Sequence, residues 1–322
     1  MGLPRMVHAV VTPTWFTSFK VDPIGIAASR DTLYVLRGCT GGVENELHSL
    51  TMNGSAITDT LVATIPNSQG ACVEGYLAIS PGFGGFTAND VYITSTNTIW
   101  RYRPTTPTSG FLTPFATLPM PNTQSHTGIT FDHVSTFGFQ MILTMWDGRV
   151  YSIDPWQNIT AIGVVPGGAN VGLEGPEVTP VSFGTNGGEV FIADEVGGRV
   201  WAMSVHGVVT LIANVPDAES VHMIPKYPCS FLQTGSAMFT NVYLPKTNPT
   251  PAIYQWKTID LAGFGGRMIV MKEHPGTGIY GSVLLTYDPF KEAYTLSNFG
   301  ANVGRQEGST FVDCRVPCPT CP

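Results

Sequence analysis

Four segments of the chain repeat one grammar, and that repetition limits the architecture more than any other feature. They read PIGIAASRDTLYVLRG from Pro23, VEGYLAISPGFGGFTANDVYIT from Val73, HTGITFDHVSTFGFQMILT from His126 and LEGPEVTPVSFGTNGGEVFIAD from Leu173. Each opens on a short x-Gly-apolar strand, passes a Gly-rich turn and reaches a β-branched or aromatic strand. A third strand follows (TIWRY, RVYSI, RVWAM), and a fourth closes the unit, as in ITAIGVVP and VVTLIANVP. Four strands per unit at a period of roughly 45 to 53 residues are the pattern of β-propeller blades rather than a sandwich. Gly or Pro interrupts every helical apolar period.

The register blurs after the fourth unit. A fifth opens at AESVHMIP and is expected to continue through AMFTN and AIYQW. RMIVMKE, GSVLLTYD, YTLSNFG and STFVD supply further strands. The N-terminal WFTSFKVD then completes the last blade and removes an open sheet edge. The expected fold is therefore all-β, a propeller of six four-stranded blades, with five or seven as alternatives. Residues 1–322 form one domain with a Cys/Pro-rich tail over 314–322, and KYPCSFLQTGSA reads as an inserted loop.

Composition narrows the class further. Only 12% of residues are charged against 43% hydrophobic, and there are 36 Gly and 25 Pro. A coiled coil would be rich in Glu, Lys, Ala and Leu, and a disordered chain would lack the 11% aromatics. A net charge of -7 without a Lys/Arg cluster argues against nucleic-acid binding. No apolar run is long enough to span a membrane. Six cysteines (39, 72, 229, 314, 318 and 321) and the sequons at Asn53 and Asn158 predict an exported protein, extracellular or periplasmic, whose signal has been removed. Disulfides are the expected state of the cysteines; a metal knot in CRVPCPTC and free thiols are the alternatives.

Aligning the units on their shared glycine gives the main chemical clue. The preceding residue is Ile24, Glu74, Thr127 and Glu174, and in the fifth unit Glu219 precedes Ser220 at the same place. Glu307-Gly308 is a further such pair. In a propeller the first strand of each blade lines the central channel, so Glu74, Glu174, Glu219 and Glu307 would form a ring at one end. Converging carboxylates need a cation, shared protons or basic partners, and Ca²⁺ answers that need most simply. A single Glu before a tight turn also serves merely to accept backbone amides.

His126 and His222 lie near starts of inner strands, where either could act as a general base at the channel mouth. No His-x-x-x-His pair, Gly-x-Ser-x-Gly elbow or phosphate loop accompanies them. The Gly-rich runs at Gly82, Gly184 and Gly263 read as blade turns. Trp100, Tyr151, Trp201 and Tyr254 recur at one third-strand position and are expected to fill the space between blades. Trp146 lies outside that set and could stack on a ligand.

The stretch LEGPEVTPVSFGTNGGEVFIADEVGGRVWAMS resembles a blade of the six-bladed, calcium-dependent gluconolactonase/senescence-marker group. It is more loosely similar to strictosidine-synthase-like and NHL-type propellers, and to exported bacterial propellers of no assigned activity. The shared elements are Glu174-Gly175-Pro176, a strand ending in Asp194, and Gly-Gly-Arg followed by an aromatic. The resemblance implies Glu174 as a metal ligand. That family draws its other ligands from Asn and Asp of inner strands, whereas Glu recurs here.

The residues therefore favour an exported module that binds a small molecule, carbohydrate or protein at the channel mouth or loops, or assembles with itself. A cation in the channel would be structural. The alternative is a metal-dependent hydrolase of lactonase or esterase type, its cation held by the four glutamates. A metal-assisted lyase is a third reading that no particular residue favours.

Overall fold

The computed structural model describes residues 10–19, 22–29, 32–37, 45–53, 56–66, 75–118, 126–168, 171–225, 238–245, 250–261, 263–276 and 278–311. Strand β1 (Thr14–Ser18) comes first. Sheet one follows as β2 (Pro23–Ala28), β3 (Thr32–Arg37), β4 (Asn45–Asn53) and β5 (Ala56–Ile65). Sheet two is β6 (Leu77–Ile79), β7 (Val91–Ser95), β8 (Thr98–Thr106) and β9 (Ser109–Thr117). Sheet three is β10 (His126–Phe131), β11 (Met141–Met145), β12 (Arg149–Ile153) and β13 (Ile159–Val164). Sheet four is β14 (Leu173–Val178), β15 (Val190–Asp194), β16 (Arg199–Met203) and β17 (Val209–Asn214).

Each of these sheets is a local antiparallel meander. The second strands β7, β11 and β15 are buried along their whole length, which is why VYITS, MILTM and VFIAD carry almost no polar alternation. The outer strands β13 and β17 alternate between half-buried and exposed positions.

The last two sheets share chain in a way the repeat did not predict. β18 (Ala218–Met223) opens sheet five, but the chain then leaves it for β19 (Met238–Pro245) and β20 (Ala252–Trp256). After the short helix α1 (Thr258–Leu261) it returns as β21 (Met268–Lys272), β22 (Ser282–Asp288) and β23 (Ala293–Asn298) to complete sheet five. Sheet six is built of β24 (Gly304–Phe311), β19, β20 and β1, in that order. MFTN and AIYQW thus belong to the closing sheet and not to the unit that opens at AESVHM. Spacing alone pointed to the wrong partner, because β19 pairs with β24 more than sixty residues later. The N-terminal strand closes this sheet as expected, pairing Thr14 with Gln255 and Ser18 with Ala252. KYPCSFLQTGSA and all six cysteines lie outside the described residues.

The strands β2, β6, β10, β14, β18 and β24 touch one another in succession, and β24 returns to β2. The described residues share no single core. A separate apolar cluster fills each space between neighbouring sheets: Leu36 with Val91, Tyr92 with Phe131, Val150 with Val190, Phe191 with Val270, Met271 with Trp256, and Ile253 with Ile26. Tyr151, Trp201 and Tyr254 are buried at equivalent third-strand positions, and Trp100 packs partly buried beside them in the series. Trp100, Tyr151 and Trp201 pack in clusters shared by two sheets, whereas Tyr254 packs against Ala252 and Val303 within the closing sheet.

The repeated glycine has a spatial cause. A Cβ on Gly25 would lie 2.6 Å from the carbonyl oxygen of Gly75, and one on Gly175 would lie 2.5 Å from Cβ of Ser220. These inner strands approach too closely at one end of the channel for a side chain. The Gly-rich turns at Gly82, Gly184 and Gly263 all have positive φ, as blade turns require.

Candidate functional site at the channel mouth

The inner strands enclose a central cavity of about 510 Å³. Its walls are mostly aliphatic and aromatic, with Thr130, Glu177, Glu219, His222 and Thr310 among the polar exceptions. None of its described lining residues is a lysine or arginine.

At the end where the inner strands begin, β14 and β18 are joined by one parallel bridge, Gly175 with Ser220. The residue before each is a glutamate. The bridge places Glu174 and Glu219 on neighbouring backbones, with Glu219 at a bulge in β18 and lining the cavity. Both are 2% exposed. Two of the four glutamates singled out from the sequence thus stand at neighbouring backbone positions on adjacent strands. Glu74 lies outside the described residues. Glu307 sits on the inner strand β24, one residue before Gly308, which pairs with Asn241; its side chain is not among those described.

His222 lies deeper, opposite Ile269, at the level where Glu177 of the next sheet stands opposite Phe191. Both face the cavity. Burial pushes the His222 pKa down to about 4, so its imidazole is neutral at pH 7. Its Nε2 has no hydrogen-bond partner among the described residues. His126 begins β10 opposite Met145, at the glutamate end of the channel, and its side chain is not described. Glu177 was not anticipated, although it follows Glu174 by three residues in the same motif.

A second group sits on the rim of the same face. Glu195 follows the last residue of β15, and Glu273-His274 follows the last residue of β21. The ligand atoms of all three lie within 4.8 Å of one another. His274 Nδ1 contacts a Glu273 oxygen and lies 3.7 Å from Oε1 of Glu195. Arg305, on β24, reaches the other Glu273 oxygen at 3.6 Å. Aligning the repeat one step further, on the residue after each second strand, would have found Glu195 and Glu273. That position holds Trp146 in sheet three, 41% exposed, with a Cβ on Gly172 3.0 Å from its ring.

The Asp194–Gly-Gly-Arg–aromatic pattern proves to be a clasp. Asp194 is fully buried and accepts hydrogen bonds from Gly172 N (3.1 Å), Gly197 N (2.8 Å), Arg199 Nε (2.9 Å) and Trp201 Nε1 (3.0 Å). Arg199 also stacks 4.9 Å above the Trp201 ring. The clasp fixes the turn from which Glu195 projects.

Among solved structures the chain is similar to streptogramin B lyase, at 13% identity, with a TM-score of 0.50, over 89% of this chain and 72% of that one. The chain is a β-propeller. Similarity extends to a protein from Lactobacillus plantarum (15% identity, 90% and 88% of the two chains, TM-score 0.48). It also extends to a putative 6-phosphogluconolactonase from Bacteroides uniformis (17% identity, 89% and 88%, TM-score 0.47). At 13% identity the likeness to streptogramin B lyase is one of fold and no more. No protein-family profile matches the propeller. No curated protein sequence matches it either. No helix among the described residues is long and apolar enough to cross a membrane.

Proposed function

We propose that this propeller is an exported binding module whose central channel receives a small molecule or carbohydrate unit beside one hard dication, Ca²⁺ first, held by the mouth glutamates. The observation that carries the reading is the burial of Glu174 and Glu219 on adjacent strands, with Glu219 lining a cavity of about 510 Å³. Two desolvated carboxylates repel, and oxygen donors of this kind suit Ca²⁺. Glu74 and Glu307 are the proposed further ligands, each standing one residue before a glycine at the same step of the repeat. When bound, such a cation supplies a fixed positive charge that polarises an oxygen of the ligand.

The chain's own groups favour binding over turnover. A histidine with a pKa near 4 is a weak base at neutral pH. His222 Nε2 is better suited to a hydrogen bond with a ligand in the apolar channel. The hydrolase reading draws its support from Glu177, which stands at the same channel level as His222 and would be its proton acceptor.

Elemental mass spectrometry of the purified protein tests the cation. About one equivalent of Ca²⁺ is expected in the parent, reduced in Glu174→Gln and in Glu219→Gln. A parent without calcium overturns the site as drawn. A lactone and ester screen with and without chelator then separates the two readings, since chelator-sensitive turnover would establish the hydrolase.

A further inference from the structure

We propose that Glu195, Glu273 and His274 form a second metal site on the channel rim, which takes a first-row transition dication. It is independent of the calcium reading, because it shares no ligand with the mouth glutamates.

The donors are two carboxylates and one imidazole, a mixed oxygen and nitrogen set suited to Mn²⁺, Co²⁺ or Zn²⁺ more than to Ca²⁺. At metal–ligand distances of about 2.1 Å, two ligands on one tetrahedral ion lie roughly 3.4 Å apart. The 3.7 Å from His274 Nδ1 to Glu195 Oε1 is close to that spacing, and all three donor atoms fall within 4.8 Å. The direct Glu273–His274 contact is shorter than that spacing, so side-chain rotation must part these two while bringing Glu195 slightly closer.

The backbone beneath each ligand is pinned by a different part of the fold. Glu195 N donates to Gly172 O at 2.9 Å, above the Asp194 clasp. Glu273 N donates to Asp217 O at 3.0 Å, and its carbonyl accepts from Gln306 N at 3.2 Å. Asn302 Nδ2 holds the loop beyond His274 through Gly276 O (3.1 Å) and Gly278 O (2.7 Å). Arg305 engages one oxygen of Glu273 and leaves the other turned toward His274. Such outer contacts orient metal-binding carboxylates. Glu195 and His274 are partly exposed, so an ion can enter from solvent.

Mn²⁺ is the probe, because it competes poorly for cysteine sulfur and its binding is read directly by electron paramagnetic resonance. The full chain is titrated with Mn²⁺ in saturating Ca²⁺, which keeps the mouth glutamates engaged. The parent should take up one Mn²⁺ with a ¹⁴N coupling from imidazole. His274→Ala should lose the coupling and bind at least tenfold more weakly, Glu195→Gln should bind at least tenfold more weakly, and Glu174→Gln should behave as the parent. Denaturation midpoints of the variants confirm folding, and Glu195→Asp gives a second carboxylate variant if Glu195→Gln fails to fold. Absence of Mn²⁺ uptake by the parent, or uptake unchanged in His274→Ala and Glu195→Gln, overturns the proposal. Loss of uptake in Glu174→Gln alone would place the ion in the channel and overturn it equally.

Discussion

Replacing Gly175 with alanine would place a methyl carbon 2.5 Å from Cβ and 3.1 Å from Cα of Ser220, on the strand bridged to it. Neither neighbour is the free end of a flexible side chain, so β14 and β18 must separate to admit it. Overpacking of this kind costs about 1–3 kcal/mol. The stiffer unfolded chain returns about 0.4–1 kcal/mol, which leaves a net loss of roughly 0.5–2 kcal/mol. Urea unfolding followed by tryptophan fluorescence should therefore show a lower midpoint with an unchanged slope. Ser220→Gly removes the nearer of the two obstructing atoms. The double variant Gly175→Ala/Ser220→Gly should recover part of the loss, with a favourable coupling above 0.5 kcal/mol. A Gly175→Ala protein as stable as the parent, or a double variant without coupling, would refute the close strand approach and with it the neighbouring positions of Glu174 and Glu219 on β14 and β18.

Two further perturbations read other parts of the site. The His222 pKa is lower in the folded protein than its ordinary 6.5, so the unfolded chain binds the proton first as pH falls. Stability should be full above about pH 6.5 and decline toward pH 4, by about 3 kcal/mol for this group. His222→Gln should show a shallower decline over that window in pH-dependent urea midpoints, and equal slopes for the two proteins would disprove the burial argument. Asp194→Asn exchanges an acceptor-only group for one that presents N–H to Gly172, Gly197, Arg199 and Trp201. It should cost about 3 kcal/mol, seen as a fall in melting temperature of several degrees. A change below 1 kcal/mol would show that the clasp is dispensable.

The repeat made four of the sheets legible, because in each the whole unit is a run of neighbouring hairpins. It misplaced β19 and β20, which look like the second and third strands after AESVHM. Their alternation is correct for any strand, and nothing local reveals that their partners stand at residues 304–311 and 14–18. The neighbouring positions of Glu174 and Glu219 were readable for a physical reason: the glycine that marks the repeat is also a point of close strand approach. Glu195, Glu273 and His274 were missed because their meeting depends on turns of two different sheets, and the repeat had been aligned on a single position. Glu177 was overlooked because a bulge between Glu174 and Glu177 carries the strand back toward the channel.

The composition of sheet six bears on how the ring is made in time. Its outer strand, β1, leaves the ribosome among the first residues of the described chain, yet its partners β19 and β20 emerge more than two hundred residues later, and β24 later still. At about 5–20 residues per second of synthesis, the roughly 300 residues from β1 to β24 take on the order of 15 to 60 seconds. Sheets one to four can form from local hairpins in that interval, while β1 must remain unpaired and presents an open edge to other nascent chains. Ring closure is therefore the last event, and a pause or premature stop before β24 would release an open arc with two unsatisfied ends.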